Sequence, residues 1–131
     1  MEKICVTTEI LCDLLANKQE VVEQMVKLEK SANIAVAPFV LFELFCIAEA
    51  SDKPAENSVA VWDLLHRMRL LEWTPEACDA AAKLFTVLQK AGKKTDLRDI
   101  FIGVLALQSN YALLTSTPEV YKDIPGIKLY K

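Results

Sequence analysis

The sequence predicts a three-layer α/β/α fold around a mainly parallel sheet of about five strands, and three observations lead there. Short β-branched or apolar runs recur at residues 4–7, 34–37, 70–73, 111–114 and 127–130. Segments of helical periodicity separate them, the alternation that places helices on the faces of a parallel sheet. The 131 residues are 53% hydrophobic with only 3 Gly, enough for one sizeable core and one domain over residues 1–131.

Each element has its own signal. After the run at residues 4–7, a short helix over residues 9–15 carries Ile10, Leu11, Leu14 and Leu15, and an amphipathic helix over residues 18–30 carries Val21, Val22, Met25, Val26 and Leu28. The strand at residues 34–37 leads to Pro38, suited to the first turn of a helix that carries Phe39, Val40, Phe42, Leu44, Phe45 and Ile47, with Glu43 among them. Residues 52–57 break the pattern at Pro54, and residues 58–69 resume it through Val59, Val61, Trp62, Leu64, Leu65 and Met68. After the strand at residues 70–73, Thr74-Pro75-Glu76 is a helix-start signature, and that helix runs through Leu88 to a stop at Gly92. A charged linker at residues 93–95 precedes the apolar helix of residues 96–107. The strand at residues 111–114, a short helical turn at residues 118–121 and the strand at residues 127–130 complete the chain.

Composition removes several function classes. A formal net charge of −3 excludes a large electrostatic footprint for duplex nucleic acid, so any nucleic-acid contact is local. Its candidates are Lys93, Lys94 and Arg98, with Lys90, Arg67 and Arg69 as further basic groups. Cys5, Cys12, Cys46 and Cys78 lack the paired spacing of a zinc site, and the lone His66 has no ligand partner in its helical pattern. There is no secretory leader and no apolar run long enough to span a bilayer, so a cytoplasmic protein with reduced thiols and no membrane contact is expected.

The chemistry concentrates in DLRDIFIGVLAL, residues 96–107. Asp96 and Asp99 stand at the head of a helix whose body, Ile100, Phe101, Val104, Leu105 and Leu107, is almost wholly apolar. A carboxylate there also serves as a helix cap. In a parallel α/β sheet ligands bind beyond the carboxyl ends of the strands, which brings Thr7, the cluster Thr115, Ser116 and Thr117, and the helix acids Glu43 and Asp99 toward one edge. Carboxylates gathered without His or Cys are hard-oxygen ligands suited to Mg²⁺ or Mn²⁺ and to phosphodiester cleavage. A glycosidase dyad wants an aromatic-lined cleft, and aromatic content is only 8%. A phosphoacceptor domain needs a strand-end acid and a catalytic Lys, which Thr7 and Thr117 do not offer.

Through VTTEILCDLL, APFVLFELF, DLRDIFIGVLAL and LLTSTPEVYKDIPGIKLY, the whole chain resembles the PIN domain family, and within it the small VapC-like toxin ribonucleases. The resemblance implies a metal-dependent endoribonuclease acting on single-stranded RNA, a homodimer, and a cognate antitoxin as protein partner. It assigns Glu43 to the family's helix Glu, Asp99 to its late-helix Asp, and Asp96 to a supporting place; these three are the expected catalytic and metal-binding acids. Two family positions are non-acidic: Thr7 stands where the family has the Asp of a D-T-N motif, and Thr117 where it has Asp or Asn. Glu9, at the Asn of that motif, is the candidate to restore a charge, with Thr7, Thr115, Ser116 and Thr117 lining the site. Weak nuclease activity is one expectation; the other is a catalytically inactive PIN-like protein with a binding or regulatory role.

Overall fold

A computed structural model describes residues 1–130. Its sheet has the order β3-β2-β1-β4 with every pairing parallel: β1 (Glu2–Val6), β2 (Ala32–Val36), β3 (Arg69–Leu70) and β4 (Ala112–Leu114). In β1 the consecutive residues Ile4, Cys5 and Val6 are all fully buried. Successive side chains point to opposite faces of a strand, so both faces of the sheet are covered, as its parallel topology requires. Burial, only partly opposed by a hydrogen bond with the Ala37 backbone, pushes the Cys5 thiol up to about 12, so it packs as a small apolar group.

Seven helical segments make the cover: α1 (Thr8–Leu15), α2 (Gln19–Ser31), α3 (Pro38–Glu49), α4 (Pro54–Leu65), α5 (Pro75–Lys90), α6 (Leu97–Gln108) and a short 3₁₀ turn, Pro118–Tyr121. α3 packs on α1, α4 and α6, while α5 and the 3₁₀ turn pack on α6 and α6 on β4. α6 is the most deeply set helix, with Ile100, Ile102, Gly103, Val104, Leu105 and Ala106 buried. Thr74 caps α5 by accepting the Ala77 backbone N–H at 3.1 Å. Gly92, at φ +72°, ends α5 as expected, its own N–H and that of Lys93 closing onto the Gln89 and Leu88 carbonyls.

Three elements differ from those expected. Pro54 does not break a helix; it opens α4 four residues before the expected start, since a proline at the first helical position loses no backbone hydrogen bond. β3 is two residues long and begins at Arg69, pairing with Ala35 and Val36 at the end of β2. The fifth run meets the sheet edge through a single parallel bridge, Leu113 to Leu129, in which Leu113 donates to the Lys128 carbonyl and accepts from Tyr130.

Candidate functional site

The site lies where β1 and β4 end side by side. Thr7 follows β1, its backbone N–H donating to the Leu114 carbonyl at 3.1 Å, and it sits at the N-cap of α1 with no accessible surface. Its hydroxyl faces two acceptors, the Glu9 carboxylate at 2.6 Å and the Leu114 carbonyl at 3.1 Å. The same Glu9 oxygen, Oε1, accepts the Thr115 hydroxyl at 2.6 Å and the Ser116 backbone N–H at 3.1 Å. Glu9 therefore spans the ends of the first and fourth strands, beside the position of the missing first-strand acid. Burial works against its charge, but the bonds from Thr115, Thr7 and Ser116 outweigh that and hold the carboxyl below the ordinary glutamate range.

The second half of the site is built from α3 and α6. Glu43 accepts the Thr8 hydroxyl on Oε1 at 2.5 Å and Arg98 Nε on Oε2 at 2.6 Å. Arg98 turns Nη1 to Asp99 Oδ1 at 2.7 Å and Nη2 to the Thr8 hydroxyl at 3.2 Å. A guanidinium holding both carboxylates places Glu43 and Asp99 on the same side of the molecule. Hydrogen bonding to Glu43 raises the Arg98 pKa further above its already high value, despite some burial. Burial raises Asp99, Arg98 partly opposes that, and the neighbouring charges of Asp96 and Glu43 add to it. The buried Tyr121 phenol is also pushed up, by burial first and then by Asp99 and Glu9, so the two halves share one electrostatic environment.

The remaining expected residues are placed differently. Asp96 is exposed and caps α6, accepting the Arg98 backbone N–H at 3.0 Å; its carboxylate does not share the Arg98 guanidinium, though its charge helps raise Asp99. Thr117 is exposed, and its polar contacts go to Thr115: hydroxyl to hydroxyl at 3.3 Å, and backbone N–H to that hydroxyl at 3.1 Å. Lys93 is paired with Asp123 at 2.9 Å, Lys94 is exposed, and Arg98, expected to face a nucleic acid, turns inward onto the acids. Thr8 and Tyr121 belong to the site without having been singled out. Thr8 stands one residue after Thr7 in VTTE, and with Thr7 it is one of the two buried polar residues among the described residues.

Hard carboxylate oxygens suit Mg²⁺ or Mn²⁺, yet the observed arrangement does not fit such an ion. Glu43 and Asp99 are committed to Arg98, Glu9 to hydroxyls and a backbone N–H, and among the described residues no three or more His, Cys, Asp or Glu are grouped to hold a metal.

Comparison with known proteins bears on this geometry. A family model described as PIN domain matches residues 4–125. Among solved structures, a chain of VapBC2 from Rickettsia felis, bound to a DNA fragment from its promoter, is 23% identical with a TM-score of 0.87 over 97% of this chain and 96% of that one. A chain of DNA-bound VapBC from Salmonella typhimurium is likewise 23% identical, TM-score 0.87, over 99% and 98%. A chain of VapBC-1 from nontypeable Haemophilus influenzae is 20% identical, TM-score 0.84, over 100% and 98%. At these identities the likeness is one of fold. No curated protein matches the chain.

Proposed function

The chain belongs to the PIN domain family, and from that premise we propose that it is a VapC-type nuclease of low activity, an endoribonuclease acting on single-stranded RNA. The observation that carries the reading is the convergence of two family-matched acids, Glu43 and Asp99, on the edge where Glu9 spans the ends of the first and fourth strands. Mg²⁺ or Mn²⁺ is the cofactor on this reading; it would be held by hard oxygen donors only once Arg98 releases Glu43 and Asp99, and weakly, since Thr7 and Thr117 are neutral. Glu43, Asp99 and Glu9 supply the charge. Thr7, Thr8 and Thr115 orient those carboxylates, and the exposed Asp96, Lys93 and Lys94 border the approach for RNA. The partners we propose are an antitoxin protein and a second copy of the chain in a cytoplasmic setting. The likeness to VapBC chains supports the first, and among the described residues no helix is long and apolar enough to cross a membrane.

A second reading, an inactive PIN-like binding or regulatory protein, is favoured by the neutral Thr7 and by the guanidinium among the acids. Cleavage of a single-stranded RNA oligonucleotide in Mn²⁺ separates the two. On the nuclease reading the native chain cleaves slowly, Asp99→Asn lowers the rate at least about a hundredfold, and the double variant Thr7→Asp/Glu9→Asn, which restores the D-T-N pattern, raises it. No cleavage by the native chain, or cleavage unaffected by Asp99→Asn, leaves only the second reading.

A further inference from the structure

Arg98 occupies an unfavourable place for a cation. It is the second residue of α6, where the helix dipole and unpaired backbone N–H groups favour negative charge. Its neighbour Asp99 lies about 100° around the helix, so the side chain must fold back to reach both that carboxylate and Glu43, 55 residues earlier in the chain. A long, flexible side chain at the rim of a domain is otherwise free to extend into solvent. Instead Arg98 is three-quarters covered, with 26% of its side chain accessible. All three guanidinium nitrogens are engaged, on Glu43, Asp99 and Thr8. What offsets the dipole and the desolvation is the acid pair, and the acid pair in turn is neutralised to a net single negative charge by Arg98.

From this geometry we propose that Arg98 is an internal counter-cation that competes with a divalent metal ion for Glu43 and Asp99, so that metal binds only when the guanidinium is displaced. This rests on the reading of the pocket as a hard-cation site. The competition is direct because Glu43 and Asp99, the residues that would hold an ion, already accept from Arg98 on Oε2 and Oδ1. It is also electrostatic: with Arg98 in place an arriving ion meets a positive charge at contact distance and only part of the carboxylate charge that draws it. Displacement costs the charge-assisted bonds of a planar fork and leaves Thr8 to reorient.

Calorimetric titration of Mn²⁺ into the full chain tests the competition. Arg98→Gln should bind Mn²⁺ at least about tenfold more tightly than the native protein, and adding Asp99→Asn to it should abolish the gain. Arg98→Lys, which keeps the charge and the stability contributed by it, should stay within a fewfold of native binding and covers the case in which the glutamine variant melts too readily. The rise in melting temperature caused by Mn²⁺ provides a second readout, larger in Arg98→Gln than in the native chain. Equal Mn²⁺ affinity in the native, Gln and Lys proteins overturns the proposal, as does a gain that survives Asp99→Asn. Tighter binding in Arg98→Gln without RNA cleavage by any variant upholds the competition while removing the nuclease reading. Native cleavage lost in Asp99→Asn, with no gain of binding in Arg98→Gln, does the reverse.

Discussion

Thr7 and Glu9 complement each other through a single proton. The buried Thr7 hydroxyl has two acceptors within reach, Glu9 and the Leu114 carbonyl. An aspartate at position 7 would set a third acceptor among them, so restoring the first-strand acid favours removing the Glu9 charge in the same step. Glu9 also carries a pH signature. Its carboxyl lies below the ordinary glutamate value of 4.5, so its charge contributes stability above that value that is lost as pH falls through the lower folded value. Asp99 is raised, and its contribution has the opposite sign: it favours the folded state at acid pH and is lost as pH rises through its folded value. Glu9→Gln should flatten the acid limb of a stability-versus-pH curve from thermal melts. Because the group is only half-buried, the loss at neutral pH should be about 1 kcal/mol or less. An acid limb as steep as the native one would count against this account. At this scale the approach of Glu43 and Asp99 to one edge was legible from the alternation of strands and helices, and Arg98 joins them there. Arg98 reads in the sequence as facing a nucleic acid, and Thr8 and Tyr121 do not stand out, because which way these side chains turn depends on reach between segments far apart in sequence.

Among the elements, α6 sets the geometry of the site, and Gly103 sets how closely it is covered. A β-carbon built at Gly103 would lie 2.3 Å from the Ile124 methyl and 3.2 Å from the Tyr121 ring. The 3₁₀ turn therefore rests directly on the helix backbone at that point. Alanine gains helix propensity there by about 1 kcal/mol, but it must push Ile124 and the Tyr121 ring away from a packed surface, a cost of about 1–3 kcal/mol. Gly103→Ala should lower stability in denaturant melts by about 1 kcal/mol and shift the Tyr121 resonances; an unchanged midpoint would mean that the turn yields freely. Helix α6 itself was legible because an apolar run behind an acidic cap has a single reading. Pro54 was harder, since proline marks both breaks and first turns, and only the packing of α4 on α3 selects between them. The strand expected at residues 70–73 was legible as a strand but not in its bounds, since two paired residues are too few to set a period.

For the whole molecule, the surface that remains apolar is the α3–α4 face. Phe42, Ile47, Val59 and Trp62 are each more than half exposed, with the Phe45 ring tilted against Trp62 at 5.3 Å between ring centres. Leu11 and Leu15 do not join this face: Leu11 is wholly buried and Leu15 half-buried, since α1 packs on α3 and turns its apolar side to the core. A contiguous apolar face of this kind is characteristic of an interface. Light scattering at micromolar concentration should give the mass of two chains, and Phe42→Glu/Trp62→Lys should give that of one; a native monomer would exclude pairing through this face. The strand order has a different consequence, for synthesis. Since β1 lies between β2 and β4, the first strand made waits for one that begins at Ala112 before its second edge is paired. Thr7 and Glu9 meet Leu114, Thr115 and Ser116 only after that. A ribosome that has finished α5 carries a nascent chain with neither α6 nor β4, so a product truncated there keeps Glu9 and Glu43 but lacks Arg98, Asp99 and Thr115 and cannot assemble the pocket.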